Sequence, residues 1–244
     1  DVCSDLKLPT AEMPKPTNTS TLHKVQRAIT TGQRLIRPPN IIAIGVSTGG
    51  PKALEQVIPN LPANLPIPIV VVQHMPPMFT ELLAERLNAQ SKLAVGEGYE
   101  GAPLEAGQVW IAPGGYHMEV EGSRSNARLR LHEGPMENSC RPAVDVLFRS
   151  VVHVYGGHAL GVILTGMGQD GLRGSEVLHK AGGRIIAQDE ATSTVWGMPG
   201  AVARAGLADR IVPIDQVWTE IVTLVRAQRH ESTSTESWTG TLGQ

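Results

Sequence analysis

Cysteine is almost missing from this chain: Cys3 and Cys140 are the only two in 244 residues. Two cysteines cannot build a disulfide framework, and without added ligands they give no zinc spacing, so a reducing compartment is the default. His132, His153, His158 and His179 are scattered without metal-ligand intervals. No long apolar run exists either. IPIVVVQ, residues 67–73, is strand-sized, and Gln73 and His74 interrupt it well short of a membrane span. No secretory signal is visible. Neither sign of charge dominates: a formal net charge of −2 offers no bulk attraction to nucleic acid or an anionic membrane. The chain opens on Asp1 rather than methionine, which suggests a processed protein or an excised piece.

What is present divides into three parts. Residues 1–40 are rich in Pro, Thr, Lys and Ser and lack sustained periodicity, so they read as a linker holding at most one short helix. Residues 229–244 are polar, low in complexity and expected to be disordered. The folded unit is therefore expected over 41–228, a usual size for one domain.

Within that unit β-branched runs alternate with helical patterns. IIAIGV, PIVVVQ, ALGVILTG, RIIAQ and RIVPI read as strands. PKALEQVIPNL, FTELLAERLNAQ, PAVDVLFRSVVHVYG, DGLRGSEVLHKAG, a segment near PGAVARAG, and DQVWTEIVTLVRAQ read as helices. The stretch from Lys92 to Glu133 differs: QVWIAP, YHMEVEG and ARLRLHE read as short strands of a hairpin insertion. The expected fold is α/β: a doubly wound, mainly parallel sheet with helices on both faces, right-handed crossovers and a small antiparallel hairpin insertion. Such folds place their sites at the carboxyl ends of strands, beside a topological switch point.

Three strand ends carry unusual chemistry. In GVSTGG, Gly45, Ser47 and Gly49 fit G-x-S-x-G, which in a strand–turn–helix context exposes a serine hydroxyl beside backbone N–H groups. The same glycines could cradle a phosphate or simply make a turn. Ser47 stands where a dinucleotide fingerprint needs glycine, however, and Lys52 lies between Pro51 and Ala53 rather than in a Gly-Lys-Ser/Thr run. In IVVVQHMPP, His74 follows a buried-looking strand and precedes a Pro-Pro turn; a single histidine of this kind is more often packing or surface. In GVILTGMGQDGLRG, Asp170 sits in a glycine-rich turn opening a helix, where the plain role is an N-cap. Together the three form a coherent acyl-transfer set, because a serine hydroxyl needs a base within reach and that base needs an orienting carboxylate. Asp189 and Glu190 after RIIAQ rival Asp170 as orienter, although capping is their plainer role. His117 reads as a surface residue or a lining of the cleft. Met75, Met78, Met167 and Met198 read as an apolar cleft wall or as core filler.

With these residues in hand, the chain resembles the catalytic domain of the chemoreceptor methylesterases, the CheB family. The resemblance runs from about Ile41 to Val225 and rests on AIGVSTGGPKAL, VVVQHMPPMFTELLAERLN, VWIAPGGYHM, RPAVDVLF, ILTGMGQDGLRG and AQDEATSTVWGMPGAV. It implies a cytoplasmic hydrolase of chemotaxis and two-component signalling. Such an enzyme removes methyl groups from glutamyl methyl esters of methyl-accepting chemoreceptor helices and deamidates receptor glutamines. Ser47 would be the nucleophile, His74 the general base and then acid, and Asp170 the orienting carboxylate. The N–H of Met167 would donate to the oxyanion, helped by Thr48. The resemblance implies no metal or cofactor, no nucleic-acid partner and no membrane insertion. It also implies an N-terminal receiver domain in the full-length protein, which residues 1–40 would follow. Cys140 and Ala143 stand where the family often has His and Ser, and are expected to alter contacts at the cleft edge while leaving the triad untouched.

Overall fold

The computed structural model describes residues 38–226. The expected linker at 1–40, apart from its last three residues, and the expected tail at 229–244 lie outside the described residues. The elements in chain order are β1 (Ile41–Val46), α1 (Gly50–Val57), a 3-10 turn (Ile58–Asn60), β2 (Ile69–Gln73), α2 (Phe79–Gln90), β3 (Ala94–Glu97) and β4 (Gln108–Ile111). There follow β5 (His117–Ser123), β6 (Asn126–His132), α3 (Val144–Tyr155), β7 (Ala159–Ile163), α4 (Leu172–Lys180), β8 (Arg184–Gln188), α5 (Met198–Arg204), β9 (Arg210–Val212) and α6 (Ile214–Arg226).

Seven strands form one sheet in the order β3-β4-β2-β1-β7-β8-β9, and every neighbouring pair is parallel. The strands read as near-continuous apolar runs because both faces are covered. On β1, Ile42, Ile44 and Val46 join a core with α1, α2 and α6, while Ile41 and Ala43 join a second core with α3, α4 and α5. The period of two sends alternate side chains to opposite layers.

Two sequence expectations needed correction. QVWI is not part of a hairpin insertion: as β4 it lies between β2 and β3 in the main sheet, with Ile69 opposite Val109 and Val71 opposite Ile111. Only β5 and β6 pair antiparallel, and that two-stranded ribbon packs its Met118, Val120 and Leu129 into the core shared with α3. β3 was not expected at all; it is four residues long, at the sheet edge, and its first residue is exposed, so it carries no clear alternation. The helix expected over PKALEQVIPNL ends at Val57 and continues as the 3-10 turn over Ile58–Asn60.

The order of strands puts a switch point between β1 and β7, where successive connections leave toward opposite ends of the sheet. Gly45 determines how closely α3 approaches this point. It shares the face of Ile41 and Ala43, and a Cβ there would stand 2.8 Å from Val144 Cγ2, the first residue of α3. Gly45→Ala is therefore expected to destabilise the fold by about 1–3 kcal/mol through overpacking. Urea denaturation should show that adding Val144→Ala costs less than the sum of the two single changes; strict additivity would contradict the contact.

Candidate active site

Ser47, His74 and Asp170 follow β1, β2 and β7, three adjacent strands of the sheet. Val46 is opposite Gln73, and the His74 N–H donates to the Val46 carbonyl at 3.2 Å, so Ser47 and His74 extend neighbouring parallel strands. Strands so paired lie about 4.8 Å apart. Gln73, which the sequence reading passed over, locks the two ends: its buried side-chain Nε2 donates to both the Ser47 and the His74 carbonyl at 3.0 Å.

His74 and Asp170 are joined directly, Nε2 to Oδ2 at 2.7 Å. The ring is used in the reverse sense to the chymotrypsin triad, where Nδ1 faces the aspartate. Its other nitrogen, Nδ1, contacts Cys140 Sγ at 3.6 Å. Ser47 Oγ makes no hydrogen bond among the described residues. The expectation that Cys140 alters only contacts at the cleft edge and leaves His74 untouched is thus overturned, since its thiol reaches the imidazole itself.

Asp170 does not cap the helix that it precedes; Gly171 holds the N-cap position of α4. Its carboxylate instead caps α3, accepting from Val144 N–H at 2.7 Å and Asp145 N–H at 3.1 Å. Ala143, the N-cap residue of α3, has no side-chain oxygen to do this. Gly171 N–H at 3.0 Å and Asn138 Nδ2 at 2.8 Å complete five donors to one carboxylate. Burial opposes ionisation of Asp170, but the hydrogen bonds from His74 and Val144 outweigh it, so its pKa lies below the ordinary range. The positive end of α3 acts in the same direction. Burial also disfavours the charged imidazole of His74, yet Asp170 and then Cys140 push its pKa up to about 9.

The loop after β7 and the serine turn after β1 supply the candidate oxyanion donors. Gly166 touches Ser47, and a Cβ there would lie 2.8 Å from Ser47 Cβ. The segment from Val195 to Met198 straps this loop: Gly166 N–H donates to the Val195 carbonyl, and the Gly166 carbonyl accepts from Gly197 and Met198. Thr165 Oγ1 donates to the Thr48 carbonyl at 2.9 Å and ties the loop to the serine turn. The backbone N–H groups of Met167 and Thr48 take part in no hydrogen bond among the described residues and remain available to a ligand.

The other sequence candidates fall elsewhere. Asp189 Oδ1 accepts from the Thr192 N–H and hydroxyl, so it closes the turn after β8 rather than orienting His74. Glu190 lies in that same turn, its carbonyl accepting from Ser193 N–H. His117 is neither on the surface nor in the cleft: it is 1% exposed, and its Nε2 donates to the Pro135 carbonyl at 2.9 Å. Met198 is buried, Met75 packs against the core, and Met78 and Met167 are exposed. Among the described residues no group of three His, Cys, Asp or Glu side chains could hold a metal ion, and no helix is long and apolar enough to cross a membrane.

The domain is thus an α/β fold that carries a serine turn and a histidine–carboxylate pair on adjoining ends of parallel strands. The chain belongs to the CheB methylesterase family, whose model matches residues 42–221. A relative from Trichodesmium erythraeum (strain IMS101), named protein-glutamate methylesterase/protein-glutamine glutaminase, is 52% identical over 79% of this chain and 55% of its own length. One of the same name from Nocardioides sp. (strain ATCC BAA-499 / JS614) is 48% identical over 88% of this chain and 57% of its own. The crystal structure of the Thermotoga maritima CheB methylesterase catalytic domain is similar with a TM-score of 0.75 and 42% identity, covering 77% of this chain and 99% of that one. The chain thus spans about half the length of the curated relatives it matches, and nearly all of the catalytic domain.

The His74–Asp170 pair has a spectroscopic consequence. In an NMR titration His74 is expected to ionise near pH 9, and Cys140→Ala should lower that value. Asp170→Asn should lower it further. Because the folded value lies above the ordinary 6.5, the stability contributed by charged His74 is complete below pH 6.5 and lost as pH rises through 9. Titration of His74 near 6.5 in the wild type would contradict the pairing.

Proposed function

We propose that this domain is a serine-type hydrolase that removes methyl groups from glutamyl γ-methyl esters of chemoreceptor helices and deamidates receptor glutamines. The observation that carries this reading is the His74–Asp170 hydrogen bond at the end of the strand beside Ser47. The relatives' names supply the substrate class. The two reactions are one chemistry, since ester and amide give the same γ-glutamyl acyl-enzyme with methanol or ammonia as leaving group.

In the proposed mechanism, neutral His74 takes the Ser47 proton at Nδ1 while the hydroxyl oxygen attacks the γ-carbonyl carbon. Asp170 holds the resulting imidazolium through Nε2. Oxyanion charge falls to the free N–H groups of Met167 and Thr48. His74 returns the proton to the departing methoxide, methanol leaves, and water then attacks the acyl-enzyme with His74 again as base. General base action is worth ~10²–10⁴-fold and one oxyanion donor ~10²–10³-fold. The step requires Nδ1 to exchange its Cys140 contact for Ser47 Oγ, a tightening that apo sites commonly undergo on substrate binding. The proposed setting is the cytoplasm, with receptor signalling helices as partner and a receiver domain preceding this one in the full-length protein.

Two assays test the reading. Methanol release from methylated receptor should fall by about 10⁴-fold or more in Ser47→Ala with folding unchanged; retained activity would refute the nucleophile. In the wild type, kcat/KM should rise with pH along a limb near 9, because protonated His74 cannot accept a proton. Cys140→Ala should move that limb to lower pH, and an unmoved limb would remove Cys140 from the account.

A further inference from the structure

The segment between β6 and α3 carries two of the contacts made by the His74–Asp170 pair. Glu137 and Cys140 exchange both backbone hydrogen bonds, at 3.1 and 2.9 Å, across the two residues Asn138 and Ser139. Both central residues have positive φ, 53° and 62°, the signature of a type I′ turn. Asparagine tolerates that conformation better than most residues. The turn is anchored by Glu137, whose carboxylate takes a forked pair of hydrogen bonds from Arg149 on α3. It is supported further back by His117 beneath the Pro135 carbonyl and by Arg141, which donates to the Glu133 and Gly134 carbonyls.

The turn places Asn138 at the rim of the site with its amide directed inward. Nδ2 donates one hydrogen to Asp170 Oδ1 at 2.8 Å and the other to Asp145 Oδ2 at 2.9 Å. Both carboxylates are buried, at 2% and 1% exposure. Among the described residues Asp145 makes no salt bridge: its second oxygen accepts from Gly174 N–H in the first turn of α4 at 2.6 Å. Burial, and then the charge of Asp170, raise the Asp145 pKa despite that bond. A single side-chain amide therefore separates two buried acceptors that would otherwise repel or share a proton. Apart from His74, Asn138 is the only side chain among the described residues that donates to Asp170; the other donors are backbone N–H groups.

We infer that Asn138 is a positioning residue for the reaction, holding Asp170 ionised and aimed at His74 by dividing its amide between Asp170 and Asp145. This rests on the reading of Ser47 as nucleophile and names what keeps its base oriented. Asn138 acts through Asp170, so its loss should slow the chemical step without altering substrate affinity. The rigid turn also explains why the amide can serve both carboxylates at once: the backbone is fixed at Glu137 and Cys140 on either side of it.

The test uses a fluorophosphonate, which labels an activated serine and requires no receptor. Asn138→Gly removes the amide while suiting the positive φ, so the turn is preserved. The second-order labelling rate is expected to fall about 10- to 100-fold, the range seen when an outer partner of a functional imidazole is lost. With methylated receptor as substrate, kcat should fall by a similar factor with KM unchanged. Adding Asp145→Asn should restore part of the rate, because it removes the buried charge that competes with Asp170. Ser47→Ala is the unlabelled control. Normal labelling in Asn138→Gly, absence of rescue, or unfolding of Asn138→Gly at 25 °C would each overturn the inference alone. A wild type that is not labelled would bring down the nucleophile reading and this inference with it.

Discussion

The Asp170 carboxylate is the point on which the site and the local fold both depend. It sits between two helices that have no caps of their own and satisfies the first N–H groups of α3 from outside that helix. Asp145, inside the first turn of α3, does the same for α4 through Gly174. The two helices thus cap each other in exchange, and the carboxylate that completes the exchange also grips His74. Helix termini leave several N–H groups without intrahelical partners, and here that need makes an ionised aspartate stable in a nearly dry location.

The sheet determines where this carboxylate meets the serine. Parallel strands bring their carboxyl ends to one edge, and the switch between β1 and β7 opens a crevice there. Close approaches then bring the pieces together: α3 rests against Gly45, and the β7 loop against Ser47 through Gly166. The Val195–Met198 strap and the Gln73 amide hold the backbone of the serine turn and its neighbouring loop. None of these groups reacts in the proposed mechanism, yet each restricts the position of one that does.

Much of this was legible in the residues. Alternating β-branched and helical segments were enough for a parallel α/β sheet, and polar residues at three strand ends pointed to Ser47, His74 and Asp170, which follow three adjacent strands. What was not legible depends on pairing across long distances. QVWIAP looks the same whether it joins a hairpin or the main sheet, because only its partner, β2, distinguishes them. Asp170 reads as a cap for the helix that follows it, whereas it caps one that precedes it in the chain. Asn138 carries no sequence signal, since NS is an ordinary turn dipeptide until the turn is seen to face two carboxylates, and Cys140 reads only as a cleft-edge difference until its thiol is seen against the imidazole. His117 reads as surface or cleft lining, whereas it supports that turn from a buried position.

The central claim is that Ser47, rather than the nearby Cys140 thiol, is the group that His74 and Asp170 serve. Acid quenching of the domain during turnover of a methylated receptor peptide, followed by peptide mapping by mass spectrometry, tests it most directly. The account predicts a γ-glutamyl adduct on Ser47, absent when methylated peptide is omitted. An adduct on Cys140, or turnover without any acyl-enzyme, would contradict it.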